Sequence, residues 1–513
     1  MVMGTRRRQQ RLMKRAILLL IAAVICFILF YQIDWLKATN SSNESHLSKI
    51  DYKPESTVSK RREKLPERRK KLPERISIVQ EITHIRGIDA LQNYCNSPMK
   101  ETVGQEGTSS KDFKLKMVHI FIRHGDRTSI HNFPGYKPET YDCKFSRWYT
   151  GNDVKFKAFP SRMDQMMSSA RRKENYYFQG WPTYPKFDTC MDAVLTSRGA
   201  LQHLKLGQHI FKSYSKHHHL FEQPLSSQIY TISTGTKRTF QSAVAFLYGF
   251  VPNFNMSDVS INHSKDLHFC STKHVKDCNC PHTRDLYIRA LWFQSAMGKN
   301  SSYFKDLRNF VSELFKIDKN DLKWLSGIAD ALVPTFCHNF TIPCSTFNPS
   351  KCVDHKLLGK IWDAITDKEF SNWDDPSFNF LKYCSIKMTP VLIEVFHRIK
   401  ELIENKNTPK FILYSGHDVT LSPLLYVLGL HDGRWPPYAS RVVMELYENE
   451  NDLTEEKYFL KFLYNGLDKT EKVVFCKNKT LNGLCKLKLF SDFITHEILN
   501  RFGYRDYGDA CFG

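Results

Sequence analysis

Short apolar runs along the chain end repeatedly in polar tips, a pattern that predicts strands whose ends meet at one edge of a sheet. Met117 to Ile122 is strand-like and gives way to Arg123-His124-Gly125-Asp126-Arg127. Lys410 to Gly416 repeats the layout and runs out into His417-Asp418. Gln228 to Thr234 reads as a third strand, followed by Arg238 at the start of a helical run, Thr239 to Tyr248. Arg441 to Tyr447 and Tyr458 to Tyr464 supply two more strands. Helical periodicity marks Asp285 to Met297, Tyr303 to Phe315 and Pro390 to Ile403, with few strand signals near them. The expected fold class is α/β, a mixed sheet flanked by helices, with a mainly helical cap formed by 281–402 and part of 128–190. In an open α/β sheet the strand tips converge on one crevice, so the three polar tips are expected to meet there.

A different pattern stands at the N-terminus. Six basic residues within 1–15 precede an uninterrupted apolar run from Ala16 to Tyr31. At about 1.5 Å per residue this run spans roughly 24 Å, and Gln32 to Leu36 extend it towards the ~30 Å of a bilayer core. A cleaved signal peptide has an overlapping length, but no small-x-small site follows Tyr31. The reading favoured is a single transmembrane signal-anchor at 16–36, with 1–15 cytoplasmic and the bulk of the chain translocated. Residues 37–80 are polar and charged and contain the repeat Lys64-Leu65-Pro66-Glu67-Arg68 and Lys71-Leu72-Pro73-Glu74-Arg75. Such composition buries too little apolar area to fold and reads as a stem. The catalytic region is then 81–513.

The polar tips carry chemistry. Two arginines beside a histidine are costly in a core, since guanidinium is always charged, and apt around a dianion that accepts its forked N–H groups. A phosphate monoester needs positive charge around its equatorial oxygens, an in-line nucleophile and a proton for the leaving alkoxide. His124 is the candidate nucleophile, provided its other ring nitrogen is fixed by a backbone carbonyl. Arg123, Arg127, Arg238 and His417 are the candidate phosphate-binding residues, and Asp418 the candidate general acid and later water activator. Asp126 is better placed as a structural partner of a guanidinium than as an acid. A lone histidine at a strand end is usually structural, but the flanking arginines and the second His-Asp tip reverse that weighting.

Together these tips resemble the acid phosphatase branch of the histidine phosphatase superfamily. The resemblance extends to Leu195-Thr196-Ser197-Arg198-Gly199-Ala200-Leu201-Gln202-His203, with Thr196 suited to an N-cap, to Ser233-Thr234 through Arg238-Thr239, and to Leu463-Tyr464-Asn465-Gly466. It covers residues 112 to 513. One departure is Ile232, where the family usually has a further arginine. Val118-His119-Ile120-Phe121, Phe336-Cys337-His338-Asn339 and Val419-Thr420-Leu421-Ser422-Pro423 are similar to the members of that branch that act on 2-phosphoxylose. That resemblance implies removal of the 2-phosphate of xylose in the glycosaminoglycan-protein linkage region of proteoglycans, through a phosphohistidine and without a cofactor. It also implies a Golgi membrane and leaves room for association with Golgi glycosyltransferases. The alternatives are a general acid or lysophospholipid phosphatase, and a non-catalytic glycan-binding scaffold, against which the intact His124 and Asp418 argue.

Composition bears on compartment and partners. Seven Asn-x-Ser/Thr acceptors follow the anchor, at Asn40, Asn43, Asn255, Asn262, Asn300, Asn339 and Asn478. Thirteen of the 14 cysteines also follow it, which in an oxidising lumen implies disulfides with at least one cysteine left over. Cys270, Cys278 and Cys280 lack a second pair at zinc-site spacing and read as disulfide partners. His217-His218-His219 lacks spaced metal-ligating partners and reads as a surface turn, so no metal is expected. The net charge of +21 is shared between residues 1–80 and the catalytic region. It suits an anionic substrate, and a lumenal chain has no nucleic-acid partner.

Overall fold

A computed structural model describes residues 86–513, apart from 132–139, 142, 150, 170–175, 186–189, 191, 216–219, 221–224, 257, 290–301, 319–324, 342, 346–347, 371–379 and 455. The expected anchor, the stem, the His217–His219 run and the acceptors Asn40, Asn43 and Asn300 lie outside the described residues. No helix among the described residues is long and apolar enough to cross a membrane.

Strands β1 (Phe113–Arg123), β2 (Ile229–Thr234), β3 (Ile261–Ser264), β4 (Phe411–Gly416), β5 (Arg441–Asn449), β6 (Tyr458–Tyr464), β7 (Leu467–Asp468), β8 (Thr480–Leu481) and β9 (Leu484–Lys486) form one mixed sheet. Its order is β3-β2-β4-β1-β5-β6-β9-β8, with β7 paired to β6. β3, β2, β4 and β1 run parallel. β5 is antiparallel to both β1 and β6. β1 begins four residues before the predicted run because Lys114 and Lys116 interrupt its apolar pattern and a bulge between Leu115 and Met117 shifts the pairing with β5. Phe113 and Leu115 share a face with Val118, Ile120 and Ile122 across that shift, while Met117 and Phe121 point to the other.

Each face is covered by helices. On one lie α2 (Ser197–Tyr214) and α3 (Lys237–Phe250), whose Leu201, Leu204, Phe240 and Phe246 join Ile120, Phe411 and Val443. Thr196 is the N-cap of α2, as predicted, its hydroxyl accepting from the Gly199 N–H at 3.1 Å. The two helices approach closely through glycines. A Cβ on Gly207 would collide with the Phe246 carbonyl oxygen, and one on Gly249 with that of Leu204.

A third apolar cluster is wholly helical. It joins α1 (Gly87–Cys95), α4 (Ser302–Phe315), α5 (Leu325–Cys337) and α6 (His355–Phe370) through Leu91, Val311, Leu332 and Leu358. Cys95–Cys337 ties α1 to α5 across 242 residues. One part of the expected cap is corrected: Pro390 to Ile403 belongs to α7 (Phe380–Ile403), whose Met388, Val391, Leu392 and Val395 pack into the core on the second face of the sheet, with α8 (Asp418–Leu428). Periodicity announces an amphipathic helix without saying what it packs on. Cys270–Cys278, Cys280–Cys511, Cys143–Cys190, Cys344–Cys352 and Cys476–Cys485 are the other disulfides. Cys384, buried in α7, is the free cysteine among the described residues.

The glycine contact between α2 and α3 leaves no room for a methyl group, and the obstacle is backbone. Gly207→Ala should therefore lower stability by about 1–3 kcal/mol, read as a lower denaturant midpoint at unchanged slope. A midpoint equal to the parent's would show that the two helices can part at no cost.

Candidate active site

The C-terminal ends of β1, β2 and β4 meet, as the strand pattern predicts, and bring Arg123, His124, Arg127, Arg238, His417 and Asp418 into one crevice. The turn after β1 is held by backbone bonds: the His124 N–H donates to the Gly416 carbonyl at 2.9 Å, and the Ala439 N–H to the His124 carbonyl at 3.1 Å. Gly125 sits against Gly199 of α2 so closely that a Cβ would overlap its backbone, which docks the tip on the N-terminal turn of that helix.

His124 is buried. Its Nδ1 lies 2.8 Å from the Gly125 carbonyl oxygen, an acceptor only, so Nδ1 carries the proton and Nε2 keeps its lone pair. Burial, and after it Arg238, Arg123, His417 and Arg127, push its pKa well below the ordinary histidine value. His417 stands edge to face with it at 5.5 Å between ring centroids. Burial and Arg238 push the pKa of His417 down to about 3, and its Nε2 is 2.9 Å from the Thr234 hydroxyl at the end of β2.

Arg123 is fully buried. Nη1 donates to the Pro436 carbonyl at 2.5 Å, and Nη2 to the Tyr94 hydroxyl and to Asp418 Oδ2, both at 2.8 Å. The rings of Tyr94 and Tyr438 lie 4.9 and 4.6 Å from its guanidinium carbon. Arg127 donates to the Thr128 carbonyl and, at 2.5 Å, to Asp330 Oδ1. The other oxygen of Asp330 accepts the N–H groups of Ile130 and His131. Arg238, in the first turn of α3, has no ion-pair partner among the described residues, and burial and Arg127 lower its pKa to about 10. Three guanidiniums thus face two carboxylates, Asp418 and Asp330, and the excess positive charge favours an anion. Burial alone would raise the pKa of Asp418, but Arg123, with His417 and Arg127 behind it, holds it below the usual carboxylate range.

Asp126 is turned away from this crevice and is fully buried. It accepts from Arg198 Nη1 at 2.9 Å, from the Thr196 hydroxyl at 2.6 Å and from His338 Nε2 at 2.6 Å, the guanidinium partnership expected of it. Ile232, in the slot of the departure, packs against the core on the second face of the sheet. Of the acceptor asparagines, Asn255, Asn339 and Asn478 are exposed, whereas the Asn262 side-chain amide donates to the Thr231 carbonyl within the sheet. Tyr94, Thr234, Asp330 and Tyr438 complete the crevice and were not anticipated. A cavity of about 200 Å³ opens beside Asp418 and Arg127, walled by Tyr94, Trp362, Trp435 and Tyr438 and floored by α5.

A family description, the histidine phosphatase superfamily (branch 2), matches residues 114–322 and 386–465. The chain belongs to that superfamily and is a phosphoric monoester hydrolase. It is 31% identical over 427 residues to 2-phosphoxylose phosphatase 1 of Xenopus tropicalis, covering 82% of this chain and 81% of that one. The protein of the same name from Homo sapiens is 30% identical over 424 residues, with 82% and 85% covered. Prostatic acid phosphatase of Homo sapiens is 25% identical over 363 residues, with 67% and 77% covered. Among solved structures, Hafnia alvei phytase in complex with tartrate aligns over 76% of this chain and 98% of its own, at a TM-score of 0.47 and 13% identity.

Asp126 anchors the tip to α2 and to the segment after α5. Burial would raise its pKa, but His338 and Arg198 bring it down to about 2. A carboxyl depressed on folding stabilises above its unfolded pKa of ~3.9 and loses that contribution as pH falls through the folded value. Asp126→Ala strands a buried guanidinium and should cost about 3–5 kcal/mol at neutral pH, measured by denaturant unfolding, with the deficit shrinking as both proteins are taken towards pH 2. A deficit below ~1 kcal/mol at neutral pH would show that water replaces the carboxylate.

Proposed function

We propose that this hydrolase works through a phosphohistidine on His124 and that its substrate is the 2-phosphate of xylose in the glycosaminoglycan-protein linkage region. The observation that carries the mechanism is the 2.8 Å bond from His124 Nδ1 to the Gly125 carbonyl, which leaves Nε2 unprotonated. Because the pKa of the ring is depressed, it stays neutral and nucleophilic into the acidic range. Nε2 attacks phosphorus as Arg123, Arg127, Arg238 and His417 hold the phosphoryl oxygens. The P–O ester bond breaks, and the alkoxide takes a proton from Asp418. Water then attacks the phosphohistidine, its proton returns to Asp418, the P–N bond breaks, and inorganic phosphate leaves.

The free site holds Asp418 ionised against Arg123. A bound dianion competes for the donors of Arg123 and adds negative charge nearby, and both effects raise the pKa of Asp418. Acid catalysis is then available only with substrate in place, and turnover falls as pH rises out of the mildly acidic range. The xylose assignment is supported by the relatives named for that activity, at 29–32% identity. It is supported also by a leaving-group cavity of about 200 Å³ beside Asp418, with aromatic walls and room for about one sugar ring.

Asp418→Asn should cost ~10²- to 10⁴-fold on xylose 2-phosphate and much less on an aryl phosphate, whose phenolate leaves unaided. His124→Ala should abolish both activities and the acid-labile phosphoenzyme trapped by rapid quench. Equal losses on the two substrates for Asp418→Asn would remove it as the acid, and a wild type that ignores the sugar phosphate would remove xylose as the substrate.

We place the enzyme in the Golgi membrane as a single-pass type II protein with its catalytic domain lumenal and 37–80 as the stem. The basic flank, the apolar run at 16–31 with its extension to Leu36, and the asparagine acceptors support this reading, and so does the abundance of disulfides, which persist in oxidising compartments. The expressed chain should shift in mobility on glycosidase treatment and stay with the membrane after alkaline carbonate washing. A soluble protein with a new N-terminus just past the apolar run would identify a cleaved signal instead.

A further inference from the structure

Asp330 lies on α5, away from the sheet, yet both of its carboxylate oxygens reach the loop that follows β1. Oδ1 accepts from Arg127 Nη2 at 2.5 Å, and Oδ2 accepts the N–H groups of Ile130 and His131 at 2.6 and 3.0 Å. The ion pair is largely out of solvent, with 8% of the arginine side chain and 14% of the aspartate side chain exposed. Ile130 and His131 line the cavity beside Asp418, as do Arg127 and Asp330 themselves. One carboxylate thus grips a phosphate-binding arginine with one oxygen and the wall of the leaving-group cavity with the other.

The motif's two arginines differ in how they are held. Arg123 is fixed by Pro436, Tyr94 and Asp418. Arg127 has the carbonyl of its own neighbour Thr128 and the carboxylate of Asp330, its one carboxylate partner among the described residues. A guanidinium held by an adjacent carbonyl alone keeps much of its rotamer freedom, and a ligand that needs it in one place must then supply the ordering. Asp330 therefore acts on a bound dianion in two opposite ways. Its negative charge repels the ligand, and its grip on Arg127 favours it. The repulsion is the weaker effect, because three donors, one of them cationic, already neutralise that carboxylate at contact distance. The grip has no substitute, since no second carboxylate pairs with Arg127 among the described residues.

We propose that Asp330 is a positioning residue for phosphate binding: it holds Arg127 in place from the helical cluster, so that removing this carboxylate weakens phosphate binding although it removes a negative charge. The proposal rests on the reading above of Arg127 as a phosphate ligand. The test measures the Kd of inorganic phosphate by calorimetry on the full-length protein, with kcat and KM on an aryl phosphate beside it. Asp330→Asn should raise Kd and KM by about tenfold, the scale of a misplaced positioning group, and Asp330→Glu, which restores the charge, should recover part of that loss. In an Arg127→Ala background Asp330→Asn should change Kd by less than about twofold, since a residue that acts through Arg127 then has nothing to act on. Calorimetry counts sites, so a misfolded fraction lowers the stoichiometry and leaves Kd as it is. Should Asp330→Asn not fold at all, Asp330→Glu makes the same comparison, with a several-fold rise by itself and none added to Arg127→Ala. A Kd that is unchanged or lower in Asp330→Asn overturns the proposal, for the carboxylate would then merely repel the ligand. So does a loss that adds in full to that of Arg127→Ala, which would place the effect in the backbone of Ile130 and His131. An Arg127→Ala protein with the parental Kd removes Arg127 as a phosphate ligand and takes the proposal with it, a failure distinct from additivity.

Discussion

The rest of the structure depends on the burial of one guanidinium. Arg123 is wholly removed from solvent at the end of the strand that pairs the parallel and antiparallel halves of the sheet. A buried cation is tolerated only with a counter-charge and acceptors for its N–H groups, which both terminal nitrogens of Arg123 have and its Nε lacks. Those come from three separate parts of the chain: Tyr94 before the sheet, Pro436 and Tyr438 from the loop entering β5, and Asp418 from the tip of β4. The requirement to neutralise Arg123 therefore fixes the position of Asp418 before any substrate arrives. It also draws the helical cluster down onto the sheet, because Tyr94 and Asp330 both reach the crevice from that cluster, and Cys95–Cys337 joins the helices that carry them.

Arg123, His124, Arg127, His417 and Asp418 were legible because the polar tips that follow two apolar runs announce them, whereas Arg238, which alone reads as a solvated helix residue, was legible only through the family resemblance of its segment. Their supports were not. Tyr94 lies on an amphipathic helix among other apolar residues, and nothing in the spacing of 87–95 marks one tyrosine as the partner of an arginine 29 residues away. Asp330 looks like any surface carboxylate until its two oxygens are seen to hold Arg127 and the backbone of Ile130 and His131. Asp126 was legible as the structural partner of a guanidinium but which one was not, because Arg198 of α2 lies 72 residues further along the chain.

The fold shows the same division between local and distant information. Strands with uninterrupted apolar runs were placed to within a few residues, whereas the start of β1 was hidden by its lysines and its bulge. Pro390 to Ile403 was correctly helical and wrongly assigned to the cap, since its stripe of Val391, Leu392, Val395 and Ile399 fits any apolar surface. Which surface it meets is decided by the sheet, through contacts with residues as far away in sequence as Met117 and Phe121.

Charge balance also explains why such a site does not need a carboxyl of permanently raised pKa. Burial, and after it the three arginines around the imidazole, suppress protonation of His124, so in the proposed mechanism the nucleophile is neutral without help from a base. The same cations keep Asp418 ionised, which would be a fault in a general acid if the site worked empty. A phosphate dianion removes both conditions together: it neutralises the arginines and leaves Asp418 beside negative charge in a poorly hydrated crevice, where the protonated carboxyl is favoured. In the proposed mechanism binding and acid strength are then one event, and a leaving group held in the aromatic cavity next to Asp418 would receive the proton only while its phosphate is in place.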